Sequence, residues 1–168
     1  MKNFFKTIAV ATVAAASVFA PTAAKAADNG DLLTYMEMNG IEVEVNGRDC
    51  AAGDIYGKFA FNDALTYGKM TLCPGQTVDQ EDHETVIHET MHVVQACVNK
   101  RRGTSYDTPV FSYDELAARV NRTLPDTEVQ WIKSAYPQSA WWVEFEAFYA
   151  EEVYDANDMI DMLESYCF

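Results

Sequence analysis

The chain has 168 residues, 49% of them hydrophobic, and sets 26 acidic residues against 12 basic ones for a net charge of −14. That is one domain's worth of sequence with enough apolar residues for a real core. So acidic a surface excludes nucleic acid and anionic membranes as natural partners, because phosphate and lipid headgroups repel it.

Residues 1–26 read as an export signal. Lys2 and Lys6 precede an apolar run from Ile8 to Ala20, and Ala24-Lys25-Ala26 fits small-x-small cleavage after Ala26. The run is short for a bilayer span, and no later segment approaches that length. The mature chain is then residues 27–168, secreted or periplasmic, with no stable membrane insertion once the leader is cut. Three of the 12 basic residues lie in the leader, so 9 remain against 26 acidic ones, a net charge of −17.

Residues 27–34 read as a polar lead-in. "IEVEVNG" alternates apolar and acidic residues, which is strand periodicity, and Asn46-Gly47 signals a turn. "IYGKFAFND" and "KMTLC" are further strand candidates, punctuated by Gly53, Gly57 and Gly68. From residue 79 the period becomes helical. Asp79 is the expected N-cap, with Glu81 and Asp82 in the first turn, where the helix dipole favours acids. Val86, Ile87, Val94 and Val98 supply buried sides. Lys100, Arg101 and Arg102 close the helix, and Gly103 can stop it.

Ser112 and Glu115 form a capping-box signature before "ELAARVNR". "DTEVQWIKSAY" is a short helix between Pro125 and Pro137, and Ser139 is the expected cap of "AWWVEFEAFYAEEVY". A last helix covers about residues 157–166. "DANDMIDMLE" lacks the ligand and glycine of a calcium loop at Met159 and Ile160, and reads as a capped acidic helix. A small β region followed by helices gives an α+β fold.

Four cysteines in an exported chain read as two disulfides. Three pairings exist. Cys50–Cys73, closing a local β-rich loop, and Cys97–Cys167, tying the long helix to the chain's end, are the favoured ones. No CxxC pair supports thiolate metal binding.

The chemistry concentrates in "HETMH", residues 88–92. Residues four apart share a helix face, so His88 and His92 aim their imidazoles at one point, which suits two nitrogen ligands of one zinc ion. Glu89 lies about 100° around the helix and would act as general base toward a water at that metal. The bland alternative is two histidines on a solvated acidic helix. His83 is about 140° off the motif face and reads as a surface residue. Gln95 shares the face and is either a hydrogen-bond support for a ligand or a polar contact to a loop. Trp131, Trp141 and Trp142 read as core aromatics rather than cleft residues.

"HETMH" followed by "WWVEFEAFYA" resembles the gluzincin branch of the zincin metallopeptidases. There, two motif histidines and a glutamate from a downstream E-x-x-A helix hold zinc. The likeness covers about 25 residues of two helices. Metzincins fit less well, since Val98 stands where their third histidine falls. The resemblance implies a minimal zincin core with strands on one side of a cleft and helices on the other. It also implies zinc as cofactor, a peptide or protein substrate, and an oxyanion donor. Tyr106, Tyr113, Tyr136, Tyr149 and Tyr154 are all candidates for that donor. Helix geometry does not choose between Glu144 and Glu146, which point about 200° apart. The E-x-x-A pattern selects Glu144 as third ligand, leaving Glu146 a supporting or solvated role. The expectation is thus a zinc-dependent metallopeptidase. The alternatives are a non-catalytic zincin-like module that binds metal or protein, and a disulfide-stabilised structural protein without metal.

Overall fold

The computed structural model describes residues 27–52, 56–61, 68–73 and 80–168. The leader, Gly53 and the expected cap Asp79 lie outside these residues, as do the side chains of Glu81, Asp82 and His83. Among the described residues, six helices and one small sheet make an α+β fold. In chain order they are α1 (Asn29–Met38), β1 (Glu42–Val45), a 3₁₀ turn (Arg48–Ala52), β2 (Gly57–Phe61) and β3 (Gly68–Leu72). Then come α2 (Gln80–Arg102), α3 (Tyr113–Thr123), α4 (Asp126–Ala135), α5 (Trp141–Val153) and α6 (Ala156–Tyr166). No helix among the described residues is long and apolar enough to cross a membrane.

The expected polar lead-in is instead α1. Asp28 caps it in a reciprocal box with Asp31, and Leu32 and Met36, one turn apart, are fully buried. The capping box satisfies the first-turn donors, and this apolar pair supplies a buried face. Together they outweigh the helix-weakening Gly30.

The strands order as β1-β3-β2. Central β3 runs parallel to β1 and antiparallel to β2, with Val43 opposite Met70 and Phe59 opposite Met70 on its other side. Asn46 adopts φ 57 at the turn after β1, a left-handed conformation asparagine tolerates. β2 is therefore an edge strand, and it lies against α2.

Two cores share α5. The larger joins the sheet, α1, α2 and α6 through Met70, Leu72, Ile87, Met91, Val94, Ala147, Ala150 and Leu163. The smaller gathers α3 and α4 against the other flank of α5 around Leu116, Ile132, Phe145 and Tyr149. The expected buried positions Val86, Ile87, Val94 and Val98 are all in the core. α2 ends at Gly103 (φ 65), and Asn99 holds the following loop by donating to Thr108 O and accepting from Thr104 Oγ1.

Two caps differ from expectation. Ser112 Oγ accepts from Glu115 N, but the Glu115 carboxylate turns to Arg119 at 2.7 Å, so the reciprocal half of that box is missing. Ser139 does not cap α5. Ala140 holds the cap position, and backbone bonds such as Ala140 N to Pro137 O lead straight into the helix. Asp155 caps α6 in a box with Asp158, in line with the acidic-helix reading.

The disulfides are Cys50–Cys73 and Cys97–Cys167. The second fixes the last third of α2 to the end of α6.

Candidate metal centre

His88, His92 and Glu144 come together from α2 and α5, each offering one ligand atom, all within 4.8 Å of one another. The group could hold a metal ion. Of the two competing glutamates, Glu144 is the one in this group. Glu146 points the other way, as 200° of helix rotation requires. It is fully buried rather than solvated, accepting hydrogen bonds from Val110 N (2.7 Å), Phe111 N (2.8 Å) and Gln95 Nε2 (3.0 Å).

These bonds determine the proton positions on the histidines. Gln95 Nε2 donates to Glu146 and to Val143 O (2.9 Å). The flipped amide would put its oxygen against a carboxylate and a carbonyl, so the orientation is fixed. Gln95 Oε1 then faces His92 Nδ1 at 2.8 Å, and the ring nitrogen must be the donor. On the other histidine, Nδ1 donates to Glu151 at 2.6 Å. With both Nδ1 atoms protonated, neutral rings carry bare Nε2 lone pairs. Those two atoms are 3.2 Å apart, and His88 Nε2 is 3.3 Å from Glu144 Oε2.

Three acceptors thus converge on one buried point, and they need a positive charge between them. A proton on His88 Nε2 supplies one. Burial works against the charged ring, but hydrogen bonding to Glu144 and Glu151 outweighs it and lifts His88 to about 10. For His92, burial and then the charge of His88 push the ring down to about 4. A single proton on His88 Nε2 faces both His92 Nε2 at 3.2 Å and Glu144 Oε2 at 3.3 Å, and can be donated squarely to only one of them. A metal ion can contact all three ligands. Two imidazoles supported by outer hydrogen bonds and one carboxylate form a donor set whose chemistry would suit zinc.

Glu89 is beside this group and is not part of it. Its side chain is buried, Oε2 has no hydrogen-bond partner, and the carboxylate accepts from the backbone N–H of Phe59 on edge strand β2. Burial, partly opposed by the charge of His88, raises its pKa to about 7. β2 gets this close because residue 57 is glycine: a Cβ there would sit 2.7 Å from Glu89 Cγ and from Thr85 Cγ2.

Among the five tyrosine candidates, Tyr136 is the one beside the centre. Burial first, then the charges of Glu144, Glu89 and Glu151, raise its phenol well above the usual range. Tyr149 instead accepts from Arg119, Tyr113 packs on Trp142, Tyr154 packs on Tyr149, and Tyr106 is exposed. Trp141 and Trp142 join the smaller core as expected, but Trp131 does not: it is 53% exposed.

Sequence reasoning missed Glu151 and Phe148, whose ring packs edge-on to His88 at 4.7 Å. Helix arithmetic could have found both, since Phe148 is four and Glu151 seven residues after Glu144 and so on its face. The Phe59 N–H carries no sequence signal, because a backbone donor has no residue identity.

Comparison with family models, with curated proteins and with solved structures found no match.

Proposed function

We propose that this is an exported zinc-dependent metallopeptidase of gluzincin-like type, built on a minimal zincin-like domain. The observation that carries the reading is the placement of buried, unpartnered Glu89 Oε2 beside three converging acceptors, His88 Nε2, His92 Nε2 and Glu144 Oε2. His88, His92 and Glu144 would hold the ion. When bound, zinc would supply a Lewis acid that polarises a carbonyl and acidifies a water.

The chain's own groups do the rest. Glu89 takes the proton of the attacking water and can return it to the leaving amine, since β2 anchors its carboxylate while Oε2 is left without a hydrogen-bond partner. Gln95 and Glu151 hold the two rings with their Nε2 atoms turned inward. Tyr136 is the candidate donor to the developing oxyanion. Export is supported by the N-terminal leader pattern and the two disulfides.

The test is metal analysis of protein purified without added zinc, followed by cleavage of a peptide library with and without chelator. Bound zinc and chelator-sensitive cleavage, restored by zinc, are expected. Bound metal without cleavage would make the chain a non-catalytic binding module. Absence of metal binding would reject the reading.

A further inference from the structure

A line of aromatic rings leads from the metal centre to solvent. His88 touches Phe148 edge-on at 4.7 Å, Phe148 touches Trp131 at 5.6 Å, and Tyr136 closes the group at 6.2 Å from Trp131 and 6.3 Å from Phe148. Trp131, at the outer end, is half exposed although it belongs to a residue type that normally buries its area.

Its surroundings are acidic. Glu128 lies one turn before Trp131 on α4, while Glu151 and Glu152 come from α5 and Glu84 from α2. They are near enough that Glu152, Glu151 and Glu84, after burial, raise the pKa of Glu128. Among the described residues no lysine or arginine forms an ion pair with Glu84, Glu128 or Glu152. An apolar guest stacked on this indole would strip water from those carboxylates without return. A guanidinium or ammonium would stack on the ring face and offset their charge at once.

We propose that Trp131 is a specificity-determining residue that receives an arginine or lysine side chain of the peptide substrate, with Glu128 one turn away on the same helix and the α5 carboxylates next to Glu128. This rests on the peptidase reading and narrows its substrate to basic peptides. The inner end of the ring line is where the reacting bond would lie, beside the unpartnered Glu89 Oε2 and the Glu144 carboxylate. The basic residue would therefore sit close to the scissile bond rather than at a remote anchor.

The experiment uses quenched fluorescent peptides in which one arginine is moved along a neutral sequence. Each has a twin bearing citrulline, which keeps the shape and loses the charge, and another bearing phenylalanine. At the responsive position, kcat/KM should favour arginine over citrulline by about 10-fold, the scale of a partly desolvated cation on an indole. Trp131→Ala should bring that ratio close to one. Equal handling of arginine and citrulline, an arginine preference that survives Trp131→Ala, or a Trp131-dependent preference for phenylalanine would each overturn the proposal. A second arm measures anisotropy of the same peptides on zinc-loaded Glu89→Gln protein, with and without Trp131→Ala. If the unsubstituted protein cleaves nothing, this arm decides the recognition alone. An arginine preference lost with Trp131 then upholds the pocket while the peptidase reading falls, and its absence overturns the pocket as well.

Discussion

His88 Nε2 and His92 Nε2 stand 3.2 Å apart while the other nitrogen of each ring is already held, one by Glu151 and one by Gln95. Two ring lone pairs at that distance repel unless a positive charge lies between them. His88→Ala, His92→Ala and Glu144→Ala should therefore each lose the metal. Glu89→Gln should keep it, while hydrolysis falls by about 100-fold or more, the scale of losing a general base. Metal content and cleavage measured on the same preparations separate the two classes. Cleavage at the unsubstituted rate by Glu89→Gln would reject the mechanism.

On the proposed reading, Glu146 would act at one remove from the ion. Its charge fixes the Gln95 amide, which in turn keeps the proton of His92 on Nδ1. In Glu146→Gln the new amide can meet Gln95 donor to donor, and the preference weakens, since only Val143 O is left to hold it. Zinc affinity should drop by about 10- to 100-fold, the usual cost of disturbing the shell behind a ligand. A chelator-competition titration reads this directly, with circular dichroism to confirm that the helices persist. Unchanged affinity would show that Glu146 serves only the Val110–Phe111 loop.

Gly57→Ala places a methyl 2.7 Å from Glu89 Cγ. Either β2 or Glu89 must shift, and both carry the Phe59 N–H contact that anchors the base. Cleavage should fall on the order of 10-fold or more, as small misplacements of a catalytic group do. Zinc content should stay unchanged, since the atoms nearest that methyl belong to Glu89 and Thr85 and not to a ligand. Wild-type activity in this variant would mean that the edge strand gives way freely.

The Cys97–Cys167 bridge closes a separation of 70 residues. Chain entropy assigns such a bridge about 4 kcal/mol. A Cys97→Ala/Cys167→Ala variant should melt well below the unsubstituted protein, and restoring zinc should recover part of the difference because the ion binds the folded state. A melting temperature within a degree or two of the parent would show that α6 packing alone secures the helix.

Local pattern marks the long motif helix, the strands within "IEVEVNG", "IYGKFAFND" and "KMTLC", and the meeting of His88 with His92. These follow from local periods of two and 3.6 residues, which backbone geometry imposes without help from the rest of the fold. The two disulfide pairings were favoured at that level but not fixed, since four cysteines allow three arrangements. Helix α1 was hidden because its capping signal is short and Gly30 weakens it. What tertiary structure alone decided was how α5 is rotated against α2. That rotation brings Glu144 to the histidines and sends Glu146 to Gln95 and the Val110–Phe111 loop. Both faces of α5 are buried, one in each core, so periodicity marked neither as the inward one. The same packing left Trp131 at the surface beside the centre and singled out Tyr136 from five tyrosines. Such placements depend on how helices distant in sequence stack, a relationship that no local pattern encodes.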